Sequence, residues 1–299
     1  MDFEDFLDAM GDTVTWPRIA EAYSGLRPMG ESFHETTMRR FREYLLVGGM
    51  PQAVAKYGET RNFGDVDAVK RLILKLYRDD IAKFAGAAAP KVRRIFDGIP
   101  GQLSKKEKRF SLASLDSGAR RRSYESSFLW LADAKVANIA YSATDPGVAL
   151  ALTEDDSTMK VYSADTGLMI SQTLGDRPFT EGALYEEVYS GDLGINEGMV
   201  IENSVAQALT AAGRRLFFYS RYDLQTAANR MEIDFLIRRG DRICPVEVKS
   251  GRNYARHASL DKFRAKFGDR LGQSFILCTK DVAQMDGVTR LPLYMASCL

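Results

Sequence analysis

Near the carboxyl end, the stretch RMEIDFLIRRGDRICPVEVKSG carries two carboxylates and a lysine at spacings that a β-hairpin brings together. Ile233, Phe235 and Ile237 alternate along one apolar face, Val246 and Val248 continue it on a second strand, and Gly240 and Asp241 fall where the chain turns. With those two residues as the loop, cross-strand partners have numbers summing to 481, so Asp234 opposes Glu247 and Glu232 opposes Lys249. Directly opposed β-carbons stand about 4.5–5.5 Å apart, and like charges so placed destabilise a sheet. A divalent cation offsets that repulsion, since Mg2+ takes one or two protein carboxylates together with waters and phosphate oxygens. Lys249 shares the strand face of Glu247, where an ammonium holds a water or balances charge on a phosphate. The chemistry these types and spacings suit is metal-assisted attack of water on a phosphodiester. The plainer alternative is an exposed hairpin with a Glu232 to Lys249 ion pair.

Elements that would position this hairpin surround it. A helix over 198–212 precedes three strands at 215–221, 230–238 and 243–250, and a second helix near 255–268 leads to a further strand at QSFILCT, an αβββαβ order. On the first helix Ile201, Val205, Ala208, Leu209 and Ala212 form an apolar stripe that ends at Gly213. Glu202 lies at the edge of that stripe, so its carboxylate is either a further metal ligand or a solvated helix-edge glutamate.

Upstream, residues Glu31 to Lys83 are helical in pattern, with Phe41, Tyr44, Leu45, Leu72, Ile73, Leu76, Tyr77 and Ile81 as packing faces. Gly48 and Gly49 before Pro51 read as a helix end followed by a helix start, in preference to a phosphate cradle. The chain has no Gly-Lys dipeptide, so a Walker-type ATP site is absent from it. Between 90 and 170 the pattern gives a helix at KVRRIFDGI, a turn at Pro100 and Gly101, a short helix at Leu112 to Leu115, a longer helix at YESSFLWLADAKVA, β segments at IAYSA, VALAL and KVYSA, and a helix from Thr166. Three helices followed by a β-ribbon is a winged-helix order. Pro90 to Glu125 holds ten Lys and Arg against four acids, including Arg120, Arg121 and Arg122, a surface for a phosphate backbone or for an acidic protein partner.

The whole chain is almost neutral, 41 Lys and Arg against 40 Asp and Glu, so any nucleic acid must be met locally rather than through a global field. It shows neither a signal peptide nor an apolar run of membrane-spanning length, and a membrane partner is not expected. Cys244, Cys278 and Cys298 are widely spaced and form no CxxC, which points to a reducing cytoplasm and away from structural zinc. With His34 and His257 the only histidines, carboxylates are the natural metal ligands.

FEDFLDAMG, FREYLLVGGMPQAV, LYRDDIAKF, KVRRIFDGIPGQLSKK, SYESSFLWLADAKV, VYSADTGLM, INEGMVIENSVAQAL, EIDFLI and VEVKSG together resemble a family, the C-terminal region of unknown function that follows an AAA-type ATPase domain in prokaryotes. The resemblance implies a multidomain chain of α+β and α/β class, helical and winged-helix-like at first, then a restriction-endonuclease-like fold of the PD-(D/E)xK type. It places the family's acidic and basic positions on Glu202, Asp234, Glu247 and Lys249, with Mg2+ or Mn2+ as cofactor and DNA as the expected partner. ATP would enter only through an upstream P-loop domain, whose tail FEDFLDAMG resembles, so the sequence reads as a truncated gene product or a shortened chain. An ATPase domain or another protein would be the alternative partner. The expected divisions are 1–88 helical, 89–175 winged-helix-like, 176–197 linker and 198–299 nuclease-like.

Overall fold

The computed structural model describes residues 1–105, 107–115, 121–147, 149–175, 197–221, 230–251 and 256–299. The expected linker at 176–197 lies outside the described residues except at Glu197. The chain is mixed α and β and divides into two compact units that alternate along the sequence, 1–13, 39–139 and 160–207 in the first, 14–38, 140–159 and 208–299 in the second.

The first unit is mostly helical. Helix α1 (Phe3–Ala9) starts on a capping box between Asp2 and Asp5, which satisfies both orphan backbone donors there. Helix α3 (Glu31–Val47), whose later half belongs to this unit, ends at Gly48, and α4 (Pro51–Thr60) begins with proline in its first turn. The glycine pair is structural, as expected. Gly48 adopts φ +83, and a β-carbon there would meet Asp165 Oδ1 at 2.3 Å. Asp165 accepts from the Gly49 amide at 2.5 Å and caps α8 (Thr166–Leu174), so one buried carboxylate ties the turn to a helix start.

Helix α5 (Phe63–Phe84) buries Val66, Ile73, Leu74 and Ile81, whereas Leu72 and Leu76, expected on a packing face, are 55% and 48% exposed. Helix α6 (Ala89–Leu103) runs straight through the turn expected at Pro100 and Gly101. Proline cannot bond the carbonyl four residues back, but Gln172 Nε2 takes that Phe96 oxygen at 3.0 Å, and the helix survives. The expected short helix is a 3-10 turn at Leu112–Ser114. Helix α7 (Glu125–Asp133) stops before the AKVA that the sequence pattern included, because Lys135 turns left-handed at φ 58 while its amide and that of Val136 close on Ala132 and Leu131.

The second unit holds α2 (Thr15–Gly25) and most of the strands. Strands β1 (Ala137–Ala143), β2 (Glu154–Ser163), β3 (Leu216–Arg221) and β4 (Met231–Ile233) form a sheet in the order β2-β1-β3-β4. VALAL is no strand where described: Leu150–Thr153 is a 3-10 turn. The β-ribbon expected as a wing does not stand alone, since Ala140 to Ser142 pair parallel with Leu216 to Phe218. Strands β5 (Phe235–Arg239), β6 (Arg242–Val248), β7 (Ser274–Cys278), β8 (Ala283–Met285) and β9 (Val288–Pro292) form a second sheet in the order β5-β6-β7-β9-β8. Strands β6, β7 and β9 are mutually parallel along that order, and the edges β5 and β8 are antiparallel. Helix α9 (Glu197–Ala211) precedes β3, and α10 (Ala258–Phe267) makes the crossover from β6 to β7 that parallel strands need. Leu260 and Phe263 of α10 join Tyr219, Met231, Ile233, Leu236, Ile243 and Ile276 in the core between helix and strands.

Candidate functional site

The loop at Gly240 and Asp241 sets the register as expected: Phe235 pairs with Val246 and Arg239 with Arg242, every pair of the ladder summing to 481. The ladder stops at Phe235. Asp234 is a bend, and the residues before it change partner, with Ile233 on Tyr219 and Glu232 on Ser220 of β3. Glu232 is therefore not the cross-strand partner of Lys249. A strand that leaves one neighbour for another at a single residue frees that residue's side chain from the pleat. Asp234 uses the freedom to reach the end of β6, where its Oδ2 accepts the Val248 amide at 2.8 Å.

Glu247, next to Val248 on β6, pairs in parallel with Ile276 and is only 6% exposed. Its Oε1 receives the Lys249 ammonium at 2.5 Å, and the Lys249 backbone is fixed by donating to Leu277 O at 2.8 Å. Its Oε2 is buried and meets no hydrogen-bond donor. Burial raises the Glu247 pKa above the usual 4.5, and the bond and charge of Lys249 and the charge of His257 only partly oppose this. A buried, half-satisfied carboxylate costs stability. Asp234, through the Val248 amide, and Lys249, through Oε1 of Glu247, are thus each bonded at the same end of β6. Oxygen donors, one of them orphaned beside a lysine, suit Mg2+ or Mn2+, although among the described residues no three His, Cys, Asp or Glu side chains gather as a metal cluster.

Glu202 is placed otherwise. It lies in the first unit on α9, which is buried all round from Met199 to Gln207 rather than along a stripe, and Ala212 beyond it is exposed. Lys108 donates to one Glu202 oxygen, while Lys160 at 3.1 Å and the Tyr162 hydroxyl at 2.6 Å donate to the other. Burial pushes this carboxyl up, but the two ammonium charges and the hydrogen bonds overcome it and bring the pKa down to about 2. Lys160 and Tyr162, two apart on β2, are on one strand face, a spacing the sequence displays without saying what it meets.

Of the three arginines, Arg120 and the Arg121 side chain lie outside the described residues, and Arg122 is exposed in a short turn. Other cations of that basic stretch are held by acids: Lys108 by Glu202, Arg109 by Glu107 at 3.0 Å and Arg93 by Asp97 at 3.6 Å. Sequence reasoning passed over His257 and Asp261, which are in hydrogen-bond contact at 2.9 Å at the start of α10. Their four-residue spacing was the available signal.

The chain is thus a mixed α and β protein with a charged cluster at the end of a parallel strand, and no described helix is long and apolar enough to cross a membrane. Residues 38–178 match a family model described as Domain of unknown function (DUF8612), and residues 197–295 match one described as Domain of unknown function (DUF4143). The second is a domain found in C-terminal regions associated with AAA ATPases. No curated protein and no solved structure matches the chain.

Proposed function

We propose that residues 198–299 form a restriction-endonuclease-like domain of the PD-(D/E)xK type that hydrolyses phosphodiesters of DNA with Mg2+ or Mn2+, in association with an AAA-type ATPase. The observation that carries this reading is the orphaned, buried Oε2 of Glu247 at the strand end that Asp234 also reaches. The order α9, β3, β4 with β5, β6, α10, β7 supports it. Asp234 and Glu247 hold the cation, which when bound supplies Lewis-acid polarisation of phosphate and water. Glu247 supplies its unbonded oxygen, and Lys249 keeps the carboxylate oriented through Oε1 while placing positive charge where phosphate arrives. Glu202, with both oxygens engaged, serves as the anchor of Lys108 and Lys160 instead of as a ligand.

Winged-helix-like residues 89–175 would supply the DNA-facing surface, with Arg122 its exposed described cation among the three arginines. The test is cleavage of supercoiled, linear and single-stranded DNA with Mg2+ or Mn2+. Cutting by the native chain that Glu247→Ala and Asp234→Asn abolish is the expected result, and equal background from all three proteins refutes the enzymatic reading.

The Lys249 to Glu247 ion pair favours one second reading, a silent module that binds DNA or a partner protein through the same fold. Salt-dependent DNA binding without cleavage, weakened by replacing Arg120, Arg121 and Arg122, would select it.

A further inference from the structure

We infer that the cleft between α2 and the start of α3 binds a nucleotide, held by its phosphate and its base. The site shares no residue with the end of β6 and does not rest on the phosphodiesterase reading. The cleft has a volume of about 540 Å³ and is built wholly from the second unit. That is the size of a small-molecule site. Arg18 and Glu21 on α2, with Arg27 just beyond it, make the polar wall, and Pro28, Met29 and Phe33 make the apolar one.

The chain fixes these walls in advance. Leu26 turns left-handed at φ 47 to end α2, and the Arg27 amide closes on the Ala22 carbonyl at 2.9 Å. Asp281 then clamps the loop at two points, accepting the Met29 amide at 3.1 Å with one oxygen and the Gly30 amide at 3.0 Å with the other. His34, next to Phe33, is buried between the Tyr294 hydroxyl at 2.8 Å and the Thr279 carbonyl at 3.0 Å. The same hydroxyl stands 3.1 Å from Met29 Sδ. A loop held in this way loses little freedom when a ligand enters, which favours binding.

The chemistry of the walls selects the ligand. Arg18 and Arg27 are exposed, and among the described residues neither is in an ion pair. Arg71 and Arg78, which line a cleft of the first unit, are by contrast held by Asp67 and Asp97. Arg18 lies over the Phe33 ring, 4.9 Å from its centroid. A guanidinium stacked on a ring keeps its N–H edge for an anion and offers its outer face to another flat group. Phosphate takes such edges through paired, charge-assisted bonds. Phe33 and Met29 give a planar base apolar contact, and Glu21 accepts from an exocyclic amino group or a ribose hydroxyl. Inorganic phosphate would leave the apolar wall idle, and a nucleoside would leave the guanidiniums unanswered. A nucleotide meets both walls, either free or as the exposed nucleotide of a single strand.

Isothermal titration of the full chain with AMP, adenosine and inorganic phosphate tests this. AMP should bind, with adenosine and phosphate each weaker by about tenfold or more, and Arg27→Gln should weaken AMP by about 10–100-fold through loss of a charge-assisted contact. Phe33→Leu should weaken AMP and adenosine by the same factor. Because Arg27 is exposed, Arg27→Gln should melt at the native temperature, which ties its effect to the ligand and not to the fold. A short single-stranded DNA separates the two sources. Binding tighter than that of AMP, and weakened by Arg27→Gln, assigns the site to a strand, whereas binding weaker than that of AMP assigns it to the free nucleotide. No binding of either, affinities that Arg27→Gln leaves unchanged, or phosphate bound as tightly as AMP overturns the proposal.

Discussion

Replacing Glu247 by Gln should stabilise the metal-free protein while abolishing its response to Mg2+. Glu247 buries a charge whose Oε2 has no donor, and such an unsatisfied group costs about 1–3 kcal/mol. The variant keeps an amide oxygen that accepts from Lys249 but loses the charge facing it, and the Lys249 side chain is 27% exposed and turns readily to water, so the loss is about 0.2–1 kcal/mol. The net expectation for Glu247→Gln is a gain of about 1 kcal/mol without metal. The sign also depends on pH. Because burial raises the folded pKa above 4.5, native protein binds more protons than the unfolded chain above that value, and stability is lost as pH rises through the raised pKa. In the variant this slope disappears. Mg2+ at ten times its dissociation constant should then restore about 1.4 kcal/mol to the native chain and nothing to the variant. Denaturant melts at pH 5, 7 and 8.5, with and without Mg2+, read all three effects. A variant less stable than native without metal, or one stabilised by Mg2+ as much as native, refutes the idea that the orphaned oxygen is a cation ligand.

Glu202→Gln should destabilise by about 3–5 kcal/mol in urea at pH 7, because it leaves the wholly buried Lys160 without its acid; a loss below about 1 kcal/mol would show the network to be dispensable. The native Glu202 contribution, held above the ordinary carboxylate value of 4.5, should be lost as pH falls from there toward about 2, seen as a steeper acid melt than in the variant. Gly48→Ala should cost more than about 1 kcal/mol, from φ +83 and a β-carbon 2.3 Å from Asp165 Oδ1, and a melting temperature unchanged from native would count against that clash. Arg122→Ala should reduce the slope of log DNA affinity against log salt by about 0.9 if this exposed arginine meets phosphate, and an unchanged slope would exclude it.

What the sequence made legible was local. Gly240 and Asp241 fix a hairpin loop, and a loop dictates register for as long as the two strands stay partners, so all pairs up to Phe235 and Val246 follow from counting. The change of partner at Asp234 depends on β3, ten residues or more away, and no spacing within the hairpin announces it. Pro100 ended a helix on paper because its missing donor was visible and the compensating Gln172, seventy-six residues from Phe96, was not. Helix α9 read as an apolar stripe with Glu202 at its edge, and the polar residues Glu202, Asn203 and Gln207 gave no sign of burial. Each is buried and bonded, Asn203 to the Ser163 backbone and Gln207 to Thr166 at 2.8 Å. The alternation of the two units along the chain likewise depends on contacts between distant segments, which a left-to-right reading of composition has no means to weigh.

Glu202 and Glu247, both buried, differ in how the chain answers their charge. Glu202 has three donors on two oxygens and a depressed pKa; its charge is fully answered within the chain, and a cation would have to displace lysines to reach it. Glu247 has one donor on one oxygen and a raised pKa, so the chain bears an electrostatic cost there that its own residues do not remove. Both carry the acidic residue type on which the family resemblance rests, and residue type alone could not rank them. A fold keeps an unanswered buried charge against its own stability when something outside the chain answers it, which is why the search for a ligand belongs at β6 and not at α9.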